Sequence, residues 1–141
     1  MRVTPAALHQ VVRVVVADDN AHHRTLLTEF LEAEGFLVVQ AHDGAELLEI
    51  LSGVRPGYFA AVICDQVMPG MLGTECLARA SSRARFVIVS SSSDPQVEEA
   101  ARKLGAAGFL RKPFDIATLG DLLGVLTAEG GPSTGVRSTR A

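Results

Sequence analysis

The chain has 141 residues, 48% of them hydrophobic, enough for one domain with its own core and too many for wholesale disorder. A formal charge of −3 gives no electrostatic reason to expect nucleic acid as a direct partner, and no apolar run approaches membrane-spanning length. Residues 1–10 lack the apolar core of a secretion signal, and Cys64 and Cys76 are too few and too far apart for a disulfide framework or a zinc site, so both read as reduced, small hydrophobes of a cytoplasmic protein.

Residues 1–10 carry a Pro and mixed polarity and read as an arm. Residues 11–17 are β-branched and nearly all apolar, which predicts a central strand ending at Asp18-Asp19-Asn20. A helix is expected over 21–34, with Leu26, Leu27, Phe30 and Leu31 at helical spacing and Gly35 as its stop. His22 and His23 open that helix and read as exposed and not catalytic or metal-bound, with contact to a docking partner as their functional reading. Residues 36–41 form a second apolar run. Asp43 then opens a helix, and Glu46 three residues on matches a capping box, with Leu47, Leu48 and Leu51 as the buried stripe.

After a Gly- and Pro-containing turn over 52–57, residues 60–64 make a short continuous apolar run that stops at one carboxylate, Asp65. Pro69 and Gly70 turn the chain immediately behind it. A short helix over 74–80 and a strand over 86–89 ending at Ser90 follow. Asp94-Pro95 is a strong helix start, with Val97, Ala100, Ala101 and Leu104 expected toward the core and Gly105 as the stop. Residues 108–111 read as the fifth strand, followed by Lys112-Pro113. Asp115 caps a last helix buried through Leu119, Leu122, Leu123 and Leu126. Gly120 and Gly124 weaken that helix by roughly 1 kcal/mol each relative to Ala. Residues 127–141 are rich in Gly, Ser, Thr and Arg and read as a tail or linker, leaving a domain over 11–126.

Five strands alternating with five helices imply a parallel sheet with helices on both faces. In such a sheet every carboxyl end lies along one edge, where ligands bind. That edge gathers Asp18 and Asp19, Asp65, Ser90 and Lys112 from four strand ends. Clustered carboxylates repel one another unless a cation neutralises them, and the all-oxygen set suits magnesium rather than zinc. Such a cation screens an incoming phosphoryl group, and a central carboxylate attacks it as nucleophile. Lys112 then offers a point charge and Ser90 a hydroxyl to the phosphate oxygens.

With these motifs the sequence resembles the receiver domain of two-component response regulators. The matching residues are Asp18-Asp19-Asn20, Asp65 with Met68-Pro69-Gly70 and Gly73, Ser90, and the run from Phe109 through Lys112-Pro113 to Phe114. The resemblance covers roughly 11–126 and implies a doubly wound, flavodoxin-like α/β fold with strand order 2-1-3-4-5. It implies that Asp65 is the phosphoacceptor, that Asp19 binds Mg2+ (or Mn2+) directly and Asp18 through water, and that the Val67 backbone carbonyl is a further ligand. It places Ser90 and Phe109 at the switch positions and Lys112 against the phosphate.

The implied partners are a histidine kinase or histidine phosphotransfer protein as donor and an unknown downstream protein, met at the face of the fourth helix, fifth strand and fifth helix. A homodimer through that face is one form of such contact. The domain then acts on itself as a switch and turns over no external substrate. The sequence departs from the family pattern in three places. Phe109 stands where Tyr is frequent, Ser90 opens a run of four serines, and Val67 is unable to orient an attacking water, which implies slow loss of the phosphoryl group. The alternative reading is a receiver-like interaction module that works without phosphorylation. A phosphohydrolase with an Asp nucleophile ranks below both, because Val67 stands where such enzymes place a second Asp.

Overall fold

The computed structural model describes residues 11–128. The arm expected over 1–10 and the tail beyond residue 128 lie outside the described residues. Five strands alternate with five helices: β1 (Arg13–Ala17), α1 (Ala21–Ala33), β2 (Leu37–Ala41), α2 (Gly44–Ser52), β3 (Ala61–Asp65), α3 (Gly73–Ala80), β4 (Arg85–Ser90), α4 (Pro95–Lys103), β5 (Gly108–Arg111) and α5 (Ile116–Ala128). All pairings are parallel and the order is β2-β1-β3-β4-β5. None of the described helices is long and apolar enough to cross a membrane.

The strands bury both faces. Val14 and Val16 of β1, with Ile63 and Val87, meet Leu27 and Leu31 of α1 and the four leucines of α5. Val15 and Ala17, with Val62 and Ile88, meet α2, α3 and α4 through Leu47, Leu51, Leu77 and Ala101. This period-2 division is why continuous apolar runs, and not alternating ones, make these strands. β3 is buried at all five positions, so the sheet centre delivers Asp65 to the carboxyl edge.

The boundaries shift where backbone pairing, not composition, decides them. Val11 and Val12 precede β1, and Val11 is exposed. The tail does not begin at Thr127, because α5 continues through Ala128. At α2 the Asp43 carboxylate accepts from the Glu46 N–H at 2.8 Å as expected. The reciprocal bond differs: Glu46 accepts from the His42 N–H at 2.7 Å, one residue upstream of the cap.

The expected face of α4 is corrected more substantially. Ala101 is fully buried and Val97 half-buried, whereas Ala100 and Leu104 are exposed. α4 covers the four-residue edge strand β5, so little apolar surface is available beneath it, and Leu104 falls at its C-cap. Gly120 also has a packing reason: a Cβ there would lie 3.2 Å from the Phe30 ring, so the glycine lets α1 and α5 approach.

Candidate functional site at the carboxyl edge

Parallel register brings the ends of β1, β3, β4 and β5 together. Ala17 pairs with Cys64, Asp65 with Val89, and Ser90 with Arg111. The Lys112 N–H donates to the Ser90 carbonyl at 2.8 Å, extending the β4–β5 ladder one residue past the strand. The Lys112–Pro113 peptide is cis. From there the Lys112 ammonium reaches the Asp65 carboxylate, Nζ to Oδ1, at 2.7 Å.

Ligand oxygens of Asp18, Asp19 and Asp65 all lie within 4.8 Å of one another. Asp18 is buried and Asp19 exposed, so the cluster runs from the sheet edge out to solvent. Burial drives the Asp65 pKa above its ordinary value; the Lys112 ammonium opposes that shift, and the charges of Asp18 and Asp19 add to it. An all-oxygen set with this surplus of negative charge fits a hard divalent cation such as Mg2+ or Mn2+.

The turn after β1 is held by several contacts. The Asn20 N–H donates to Asp18 Oδ1 at 2.9 Å, and the Asn20 side chain accepts from the His23 N–H at 2.9 Å, capping α1. Arg24 Nη1 donates to the Asp18 carbonyl at 2.7 Å, and its Nε to Gln40 at 3.0 Å. His23 departs from the exposed role expected of it: its Nδ1 is hydrogen-bonded to the Asp18 carboxylate. Neither contact has a signal in the sequence, because both depend on the angle at which α1 leaves β1.

Ser90 is 1% exposed, and its hydroxyl oxygen accepts from the Ser92 N–H at 3.0 Å. Phe109 is 7% exposed and packs in the layer containing Val97 and Ala101. Its ring therefore lies inward, against α4. Arg111 closes over its ring at 5.9 Å and reaches Glu98 of α4 at 3.8 Å. The Val67 side chain is 67% exposed beside the site. Sequence reading passed over Gln66, whose side chain is bound to Thr74 on α3. A polar amide directly after a wholly buried strand needs a partner, and that was the available signal. Cys64 and Cys76 are both buried; the Cys64 thiol donates to the Asp65 carbonyl at 3.4 Å, and the neighbouring Cys76 thiol together with burial pushes Cys64 well above its ordinary pKa.

Residues 14–123 match the response regulator receiver domain. The chain belongs to this family. It is 31% identical to sporulation initiation phosphotransferase F of Bacillus subtilis over 112 residues, covering 77% of this chain and 88% of that protein. It is 36% identical over 110 residues to the transcriptional regulatory protein PdtaR of Mycobacterium tuberculosis, there covering 76% of this chain but only 52% of the relative. Among solved structures, the chemotaxis response regulator CheY4 of Vibrio cholerae superposes with a TM-score of 0.73 at 26% identity, covering 83% of this chain and 99% of that one. The Thermotoga maritima response regulator TrrA, solved in complex with Mg2+ and BeF, gives 0.72 at 25% identity, covering 82% and 99%. Receiver domains of this family are signalling switches that meet histidine kinases or phosphotransferases and downstream targets.

Proposed function

We propose that this receiver accepts a phosphoryl group on Asp65 from a phosphohistidine of a histidine kinase or phosphotransfer protein. The observation that carries the reading is the Asp65 carboxylate at the end of the central strand, 2.7 Å from the Lys112 ammonium and beside Asp18 and Asp19. An Asp65 oxygen forms the new P–O bond as the N–P bond of the donor breaks, giving an acyl phosphate and a free imidazole. Asp19, Asp18 through water, Asp65 and the Val67 carbonyl would hold Mg2+ or Mn2+. When bound, the ion neutralises the acidic cluster and the charge on the incoming phosphoryl oxygens.

Lys112 meets a phosphoryl oxygen in place of the Asp65 oxygen it now contacts. Ser90 turns its hydroxyl from the Ser92 N–H toward the new anion, which draws the β4–α4 loop with it. Phe109 is packed inward before this step, so the change passes to α4 through the loop and the Arg111–Glu98 contact. The α4–β5–α5 face then alters its affinity for a downstream protein or for a second copy of the chain. Exposed and apolar, Val67 holds no water for attack on the acyl phosphate, so the phosphoryl group is long-lived.

Incubation with a small acyl phosphate and Mg2+, followed by intact-protein mass spectrometry, tests the acceptor. One added phosphoryl mass on the wild type and none on Asp65→Asn is the expected result; an adduct that survives Asp65→Asn overturns it. Val67→Asn is expected to shorten the phosphoryl half-life severalfold. A wild-type half-life of seconds, unchanged in that variant, removes the proposed role of Val67.

A further inference from the structure

Every polar group of Gln66 is used. Its N–H donates to the Val89 carbonyl at 2.8 Å, and its carbonyl accepts from the Gly73 N–H at 2.8 Å. Its side-chain Oε1 accepts from the Thr74 N–H at 2.9 Å, and its Nε2 donates to the Thr74 hydroxyl at 3.1 Å. Residue 66 is the last fixed point before the loop 67–72, and residues 73 and 74 are the first after it. The closure is tight: a Cβ on Gly73 would lie 2.5 Å from the Asp65 carbonyl oxygen. Within the loop Met68 is buried and Met71 half-buried against the core, whereas Val67 and Leu72 are 67% and 43% exposed.

We infer that Gln66 and Thr74 form a polar clamp that positions the β3–α3 loop, and with it the Val67 carbonyl, for the cation of the Asp65 site. This rests on the phosphoacceptor reading with its metal. A carbonyl ligand at an exposed loop residue binds well only if its direction is fixed before the cation arrives; otherwise binding bears the ordering entropy. The clamp fixes it from the base of the loop. Met68 fixes the middle, and Val67 lies between these two anchors. Gln66 and Thr74 touch neither the acidic cluster nor the phosphoryl group, so they are positioning residues. Their partners in metal sites of other proteins typically change affinity by 10–100-fold when lost.

A purely structural reading stands beside this one. Leu72 has no side chain able to cap α3, and Gln66 supplies the missing acceptor to Thr74. That role alone affects melting temperature and leaves metal affinity untouched. The two are separated by titrating Mg2+ into the full chain by calorimetry, with thermal melts of each apoprotein alongside. Thr74→Ser keeps both hydrogen bonds and is expected to bind as the wild type does. Thr74→Val keeps the shape and loses the hydroxyl, and Gln66→Leu loses both side-chain bonds; about tenfold weaker Mg2+ binding is expected for each. The double variant should bind no more weakly than Gln66→Leu alone, since both break one clamp. Wild-type affinity in Thr74→Val and Gln66→Leu, whatever their melting temperatures, overturns the inference and leaves the acceptor reading standing. Failure of the wild type to bind Mg2+ overturns both.

Discussion

Asp65 is held at a cost that the proposed acceptor role explains. Its side chain is 11% exposed and its pKa is raised, chiefly by burial. A carboxyl whose folded pKa lies above its unfolded one binds a proton more readily when folded. Stability therefore falls as pH rises from the ordinary value of 3.8 through the folded one, and the full penalty is present at neutral pH. Asp65→Asn should thus raise stability at pH 7, read as a higher melting temperature, with the gain vanishing as pH falls below the ordinary 3.8. Losing the ion pair offsets little of this, since the Lys112 side chain is 29% exposed and rehydrates. Melts of both proteins at pH 7 and below 3.8 check it; a lower melting temperature for the variant at pH 7 contradicts the account. Asp65 was legible in the sequence because an abrupt step from apolar run to acid marks a strand end. His23 and Arg24 were not, because contact with Asp18 depends on the entry angle of α1, to which no local pattern points.

At the scale of elements, the two glycines of α5 look equivalent in sequence and are opposites in space. A Cβ at Gly124 meets nothing within 4 Å, whereas one at Gly120 comes within 3.2 Å of the Phe30 ring. Gly124→Ala should therefore stabilise by about 1 kcal/mol, the helix-propensity difference, while Gly120→Ala loses that gain in pushing α1 away. Denaturant titrations that showed equal gains would contradict the packing role of Gly120. The start of α2 makes a separate prediction. His42 lies against both Asp43 and Glu46; its pKa is raised, first by the Glu46 hydrogen bond, and that of Glu46 is lowered, first by its bond from the His42 backbone. The His42 contribution is complete below its ordinary 6.5 and lost as pH rises through the raised folded value. That of Glu46 is complete above its ordinary 4.5 and lost as pH falls through the lowered one. Both act together between those ordinary values. Following the His42 ring by NMR should give a midpoint above 6.5 that drops in Glu46→Gln. No drop would show that the contact is not formed in solution. Helix starts were readable from caps, but the buried face of α4 was not: the i, i+3, i+4, i+7 pattern names four residues, and only the sheet order shows that a short edge strand lies beneath.

For the whole molecule, the parallel topology turns scattered residues into one site. Asp18, Asp19, Asp65 and Lys112 meet because four strands end on the same edge, and the alternation of elements made that legible before any coordinates. The same convergence concentrates negative charge, which the Lys112 ammonium offsets at Asp65 while hydrogen bonds of His23 and Arg24 hold Asp18 in place. A divalent cation that binds this edge in the folded chain and not in the unfolded one must then stabilise the entire domain. At ten times its dissociation constant the gain is about 1.4 kcal/mol, and it grows with the logarithm of concentration. Mg2+ should accordingly raise the melting temperature by a few degrees over millimolar concentrations, whereas NaCl at matched ionic strength should not. Asp19→Asn should lose the Mg2+ response while melting near the wild type without metal, because Asp19 is exposed and leaves no cavity. An equal rise with NaCl would mean that screening of the acidic edge, and not a bound ion, relieves its repulsion.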